Sequence, residues 1–280
     1  MKSLRTTLAT ALAAMTVAAT AQQRVDAPYL TQDEMPDGVV ILPSPPDTTD
    51  AAFFNDWLVY NRGLKKRHSP RGKQAKADAE YSWTYIANYY SKAIGIEINA
   101  EKTPAIFHLI SRAARTGGDA TWKPKKHYQR RRPFVVFNQH TMTPDHERDL
   151  ARNGSYPSGH TSMGWAVALV LAEVCPDAQD SILYLGYQYG QSRTIVGAHW
   201  QSDVDAGRVM ASAAVARMHC SPDFQADMAA AKAEYAKITG KDSVKMPNVM
   251  DPQKAHRRRS RHNQHGGAEG KVGSPRAYLP

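Results

Sequence analysis

Residues 154–175 read "GSYPSGHTSMGWAVALVLAEVC". After Pro157 this run carries apolar residues around most of a helical circumference up to Cys175, and Pro176 then forbids its continuation. A helix apolar on nearly every side has no solvent face, so it is predicted to lie at the centre of other helices. Pro157 precedes its start, which puts Ser158, Gly159 and His160 in the first turn. Backbone N–H groups there lack intrahelical partners, and the helix dipole favours an anion. Gly159 leaves the backbone open to close approach, while Ser158 can cap the helix or donate to a ligand oxygen. Taken alone, the turn is better read as a plain N-cap than as an anion cradle.

The segments around this helix are also helical in pattern. "DAAFFNDWLVYNRG" (50–63) has Asp50 as an acidic cap and ends at Gly63; "PRGKQAKADAEYSWTYIANYYSKAIG" (70–95) spaces Tyr81, Tyr85, Ile86, Tyr89 and Tyr90 as one core-facing stripe. "TPAIFHLISRAARTGG" (103–118) opens with Thr103 as N-cap and Pro104 in the first turn, and stops at Gly117-Gly118. Three more stretches, 177–193, 202–220 and 222–240, follow the central run with short breaks. Strand alternation is almost absent, so residues 22–240 are predicted to form a single all-α domain, a single-domain helical bundle.

The two ends differ from this body. "MKSLRTTLATALAAMTVAATAQQ" has a basic start, a stretch of small apolar residues and an Ala19-Thr20-Ala21 triplet, the pattern of a secretory signal peptide spanning 1–21. No later apolar run approaches the roughly 20 residues needed to span a bilayer. A periplasmic or secreted location follows as the expectation. Residues 241–280 form a basic tail centred on "HRRRSRHNQHGG", read as disordered and equally compatible with plain solubility or contact with polyanions. Of the formal charge of +10, Lys2 and Arg5 supply +2, and nine Lys/Arg against three acids in 241–280 supply +6, which leaves +2 for residues 22–240. The body is nearly neutral, and basicity resides in the tail. Cys175 and Cys220 each stand before a proline-containing break, where a disulfide and two free thiols are both possible.

Two further clusters carry chemistry. In "KPKKHYQRRRPF" (123–134) Lys125 and Arg132 lie seven residues apart, about two helical turns on one face, and could hold an oxyanion by a point charge and a planar fork. Lys123 and Lys126 compete for the lysine role, and Arg130 and Arg131 for the arginine. In "SRTIVGAHWQSDVD" (192–205) Arg193 precedes His199 by six residues, and Asp203 follows it by four. That i, i+4 spacing puts both on one helix face, so that Asp203 accepts the imidazole Nδ1–H and leaves Nε2 free as a nucleophile. A purely structural His-Asp pair is the alternative.

Together the three clusters, K-x6-R-P, P-S-G-H and S-R-x5-H-x3-D, resemble the type 2 phosphatidic acid phosphatase and vanadium haloperoxidase superfamily. Within it, "GSYPSGHT" looks like the signature of bacterial class A non-specific acid phosphatases, and the resemblance extends through "LPSPP" (42–46) and "SPRGKQA" (69–75) over most of residues 29–238. The resemblance implies an all-α fold of that type and a phosphomonoesterase working through a phosphohistidine. It implies His199 as nucleophile, Asp203 as its orienting partner and His160 as acid and base. Lys125, Arg132, Ser158, Gly159 and Arg193 would bind phosphate. No metal or other cofactor is expected. Small phosphomonoesters are the expected substrates, phosphate or vanadate the expected site ligands, and a homodimer or larger assembly the expected state. A vanadium-dependent haloperoxidase, a membrane lipid phosphatase and a non-catalytic polyanion binder are the rivals.

Overall fold

A computed structural model describes residues 27–240; the predicted signal peptide and the basic tail lie outside the described residues. Among the described residues all regular structure is helical: α1 (Gly38–Ile41), α2 (Ala51–Lys66), α3 (Pro70–Ala77), α4 (Trp83–Ile94), α5 (Pro104–Asp119), α6 (Trp122–Tyr128), α7 (Pro133–Val136), α8 (Glu147–Ala151), α9 (Gly159–Val174), α10 (Gln179–Val196), α11 (Gln201–Met218) and α12 (Pro222–Thr239). None of these helices is long and apolar enough to cross a membrane.

The central position predicted for residues 159–174 is observed. Helix α9 packs on α10, α5 and α11, and Val167, Val170 and Leu171 are fully buried. Each such side chain contributes about 1.5–3 kcal/mol of apolar burial. Small residues set how closely the partners approach. A Cβ on Gly164 would stand 2.2 Å from the Tyr189 ring of α10, and one on Gly117 of α5 would stand 2.8 Å from Ala166. Gly117 is therefore a packing residue inside α5, not the predicted stop, and the helix runs on to Asp119.

Other local expectations are corrected. The stretch 70–95 is two helices, because Ser82 caps a new one by accepting from Tyr85 N at 3.1 Å, and residues 78–82 form the link. Tyr81 thereby leaves the core stripe and is 64% exposed. Helix α2 passes Gly63, which abuts the Thr194 carbonyl, and reaches Lys66. Thr103 sits at the N-cap of α5 without capping it through its side chain; Glu234 of α12 instead accepts from Ala105 N at 3.2 Å and Ile106 N at 2.9 Å. Cys175 is a buried free thiol and Cys220 an exposed one, so the bridge does not form. Burial pushes the Cys175 thiol up to about 12.

Candidate active site

The N-terminus of α9 opens into a cavity of about 790 Å³ whose walls include Lys125, Arg132, Gly159, His160, Arg193 and His199. Ser158 is the N-cap, as expected: its Oγ accepts from Thr161 N at 3.3 Å, and its own N–H donates to the Asp203 carbonyl at 2.8 Å. That last bond ties the start of α9 to α11. A Cβ on Gly159 would press on Thr121 Oγ1 at 3.1 Å and the Lys125 stem at 3.5 Å, so glycine keeps this part of the wall open.

Lys125 and Arg132 do meet here, although not as two turns of one helix. Helix α6 stops at Tyr128, its C-cap Gln129 has a left-handed φ of 46°, and Arg132 is the N-cap of α7. The chain doubles back, and both cations reach the loop before α9. Lys125 Nζ donates to Gly154 O at 2.8 Å. Arg132 Nε donates to Leu150 O at 2.7 Å and Nη1 to Ala198 O at 3.0 Å. Three of the four competing residues are committed elsewhere: Lys123 pairs with Asp37, Arg131 is exposed, and Arg130 bridges two buried acids. Lys126 also lines the cavity, but it is exposed and lies over the Trp122 ring.

Arg193 is buried and its Nε and Nη1 have no hydrogen-bond partner. Buried guanidinium donors without acceptors are costly, and an anion in the cavity would satisfy them. Burial, with Arg193 nearby, pushes Arg132 down to about 10, and burial does the same for Arg193. Burial and the adjacent Arg132 hold the Lys125 ammonium well below its ordinary value. Each of these shifts favours a ligand that brings negative charge.

His199 and Asp203 are joined by a 3.2 Å contact from Nδ1 to Oδ2, though they do not share a helix face. Helix α11 begins at Gln201 with Trp200 as N-cap, and Asp203 reaches back over this start to accept from Trp200 N at 2.9 Å. The cap brings Asp203 to the imidazole. Arg132 Nη1 stands 2.9 Å from His199 Nε2. A guanidinium only donates, so Nε2 carries the lone pair and Nδ1 the proton. Burial and Arg132 hold the His199 imidazolium well below the usual range. Burial alone would raise Asp203, but the His199 bond, the Arg130 charge and Ser155 Oγ hold it well below the usual carboxylate range.

His160 lines the same cavity. Its ring stacks on Tyr189 at 4.7 Å, and Nε2 lies 2.5 Å from the Asp78 carbonyl. Burial and the Arg193 charge keep it neutral well below its ordinary range. Tyr156 lies beneath the loop with its hydroxyl on Pro43 O at 2.8 Å, and does not line the cavity.

Three supporting residues are not found by motif spacing. Arg130 donates from Nη1 to Asp203 at 2.7 Å and from Nη2 to Asp56 at 2.8 Å, and Asp56 also accepts from Ser202 N at 2.7 Å. The signal for Asp56 was present: it shares the inward stripe of α2 with Tyr60 and Gly63. The sequence holds no comparable sign for Asp78, a fully buried carboxylate in the α3–α4 link. Among the described residues no group of three or more His, Cys, Asp or Glu side chains could gather a metal ion.

The family model described as the PAP2 superfamily matches residues 106–226, which hold Lys125 through Asp203. The chain is 44% identical over 211 residues to the non-specific acid phosphatase of Providencia stuartii, covering 75% of this chain and 85% of that protein. It is 42% identical over 208 residues to that of Salmonella typhimurium (74% and 83% covered), and 38% identical over 201 residues to an acid phosphatase of Zymomonas mobilis (72% and 76%). Identity at this level across most of both partners, with the matched segment holding the whole cationic wall of the cavity, means that the chain belongs to the non-specific acid phosphatases of the PAP2 superfamily.

Proposed function

We propose that the protein is a secreted, metal-independent acid phosphatase that hydrolyses small phosphomonoesters in two steps through a phosphohistidine on His199. The observation that carries this reading is the pairing of His199: Nδ1 lies against Asp203, and Nε2 lies against Arg132 in a cavity whose wall also holds Lys125 and Arg193. A phosphoryl group entering that cavity would take the Arg132 donors, free Nε2 for attack at phosphorus, and give Arg193 the acceptors it lacks. Lys125 and the open backbone at Gly159 would complete the cradle, with charge spread over the equatorial oxygens. Asp203 stabilises the imidazole as it gains positive charge.

His160 would protonate the leaving alcohol and then take a proton from the attacking water. In the free protein its environment favours the neutral ring, so the acid form arises only beside the negative charge of bound substrate. Acid pH supplies that proton. The recognised groups address phosphate and none is committed to one alcohol, which supports a broad substrate range and transfer to alcohols other than water. The segment 1–21 would direct export to the periplasm or beyond.

His199→Ala is expected to abolish turnover of p-nitrophenyl phosphate at acid pH while the far-UV circular dichroism stays unchanged. Wild-type protein quenched during turnover should hold an acid-labile, base-stable phosphoryl group, and activity should survive EDTA. A base-labile, acid-stable label on serine would exclude the phosphohistidine.

A further inference from the structure

Asp78 and Ser192 lie outside the wall of the phosphate cavity, yet they are joined to it through His160. Asp78 Oδ1 accepts from the Tyr85 hydroxyl at 2.8 Å and from Gln74 Nε2 at 2.6 Å, and Oδ2 accepts from Ser192 Oγ. Arg71 closes the group: Nη2 donates to Ser192 Oγ at 2.9 Å and to Gln188 O at 2.8 Å, with Nη1 3.9 Å from Oδ2. Four side chains from α3, α4 and α10 thus converge on one carboxylate in a link that has no helix of its own. What the link presents to His160 is the Asp78 carbonyl, 2.5 Å from Nε2.

A carbonyl accepts and never donates, so Nε2 keeps its hydrogen in the neutral ring and in the imidazolium alike. Nδ1 is then the nitrogen that gains and loses a proton. The charged and titratable groups facing this ring are Arg193 from α10, His199 before α11 and His146 from the turn at Pro144–His146, with the Tyr189 and Tyr81 rings beside it. None of them bonds to either ring nitrogen among the contacts of the described residues.

We propose that Asp78, held by Ser192, Tyr85 and Arg71, is a positioning residue that keeps His160 in one tautomer and aims Nδ1 at the leaving oxygen. This rests on the acid role proposed for His160. In the first step the bond from His199 Nε2 to phosphorus forms as the ester P–O bond breaks. Its electron pair goes to the leaving oxygen, which takes the proton from Nδ1. In the second step Nδ1 takes a proton from water as the water oxygen bonds to phosphorus, and the P–N pair returns to His199. The serine of the Ser192-Arg193 pair thereby gains a role that does not involve touching phosphate.

The test uses the whole protein with Ser192→Ala, Tyr85→Phe and Asp78→Asn, and two esters. p-Nitrophenolate leaves without a proton, whereas ethoxide needs one, and kcat/KM reports only the steps up to alcohol release. For ethyl phosphate kcat/KM should fall about tenfold or more, and for p-nitrophenyl phosphate less than about threefold. Sulfate inhibition should weaken by no more than the lost imidazolium stability accounts for, about tenfold for each pH unit by which the profile moves. The basic limb of the ethyl phosphate profile should move to lower pH, because the imidazolium has lost an acceptor. Equal losses on both esters with an unmoved limb would overturn the proposal, as would wild-type behaviour throughout. If Asp78→Asn does not fold, Ser192→Ala and Tyr85→Phe decide alone. His160→Ala separates the two ideas. Equal losses on both esters there remove the acid role itself. Unequal losses there, with equal losses in the Ser192 and Tyr85 variants, remove only the positioning network.

Discussion

At the scale of single residues, the site stores a cost that a bound anion would relieve. Arg193 is buried with two donors unpaired, and burial already pushes it down to about 10. In the proposed mechanism this cost serves phosphate binding, since an apolar chain of similar length would fill the same space without a stranded charge. Arg193→Met should therefore lower kcat/KM by about a hundredfold or more, while the melting temperature without anion stays level or rises. A drop of several degrees in a thermal melt would mean that the guanidinium bonds to the fold and is not poised for phosphate. The identity of this arginine was legible in the sequence, because the pairing of Ser192-Arg193 with His199 and Asp203 leaves no competing register. Arg132 was less legible. Three consecutive arginines carry the same charge, and only the chain reversal at Gln129 decides which one enters the cavity and which one clamps Asp203 to Asp56.

At the scale of elements, α9 and α10 are coupled through a crossing with no spare volume. Gly164 lies against Tyr189, and the Tyr189 ring lies flat on His160 at 4.7 Å with 10° between the planes. Adding one methyl group at position 164 must move that ring. Gly164→Ala is accordingly expected to cost about 1–3 kcal/mol of stability and to lower kcat as well, through displacement of His160. Scanning calorimetry and steady-state rates check the two halves; lost stability at full activity would uncouple the crossing from the acid. The sequence pattern revealed α9, α10 and α11 because they are long runs without strand alternation, separated by short breaks. It joined α3 to α4 because a capping serine inside a helical pattern resembles a tolerated polar residue until its side chain bonds Tyr85 N. It also gave the wrong geometry for two correct pairs. Lys125 with Arg132, and His199 with Asp203, have helical spacings, yet in both cases a helix terminus between them brings the side chains together.

At the scale of the whole molecule, the same buried groups tie stability to pH. His160 and His199 both titrate well below their ordinary imidazole range, for which burial is the leading cause. In the unfolded chain they would protonate near pH 6.5. Between that value and their folded values the unfolded state binds more protons, so stability is full above about pH 6.5 and declines as pH falls. Asp203, held below the usual carboxylate range, adds stability that is present above about pH 3.9 and is lost as pH falls through its folded value. An enzyme that works in acid is thus least stable, when unliganded, where it is most needed. In the proposed mechanism a bound anion would reverse this, because its charge beside the histidines would favour the imidazolium and couple binding to proton uptake. Sulfate makes a clean probe, since it stays doubly charged across this range. Its stabilisation, RT ln(1 + [L]/Kd), should be larger at pH 4.5 than at pH 7, with Kd falling up to about tenfold per pH unit for each proton taken up. Thermal melts with and without sulfate at the two pH values measure the difference. Equal shifts would show that the anion binds without protonating either histidine, and any acid optimum would then have to arise from the substrate's own ionisation.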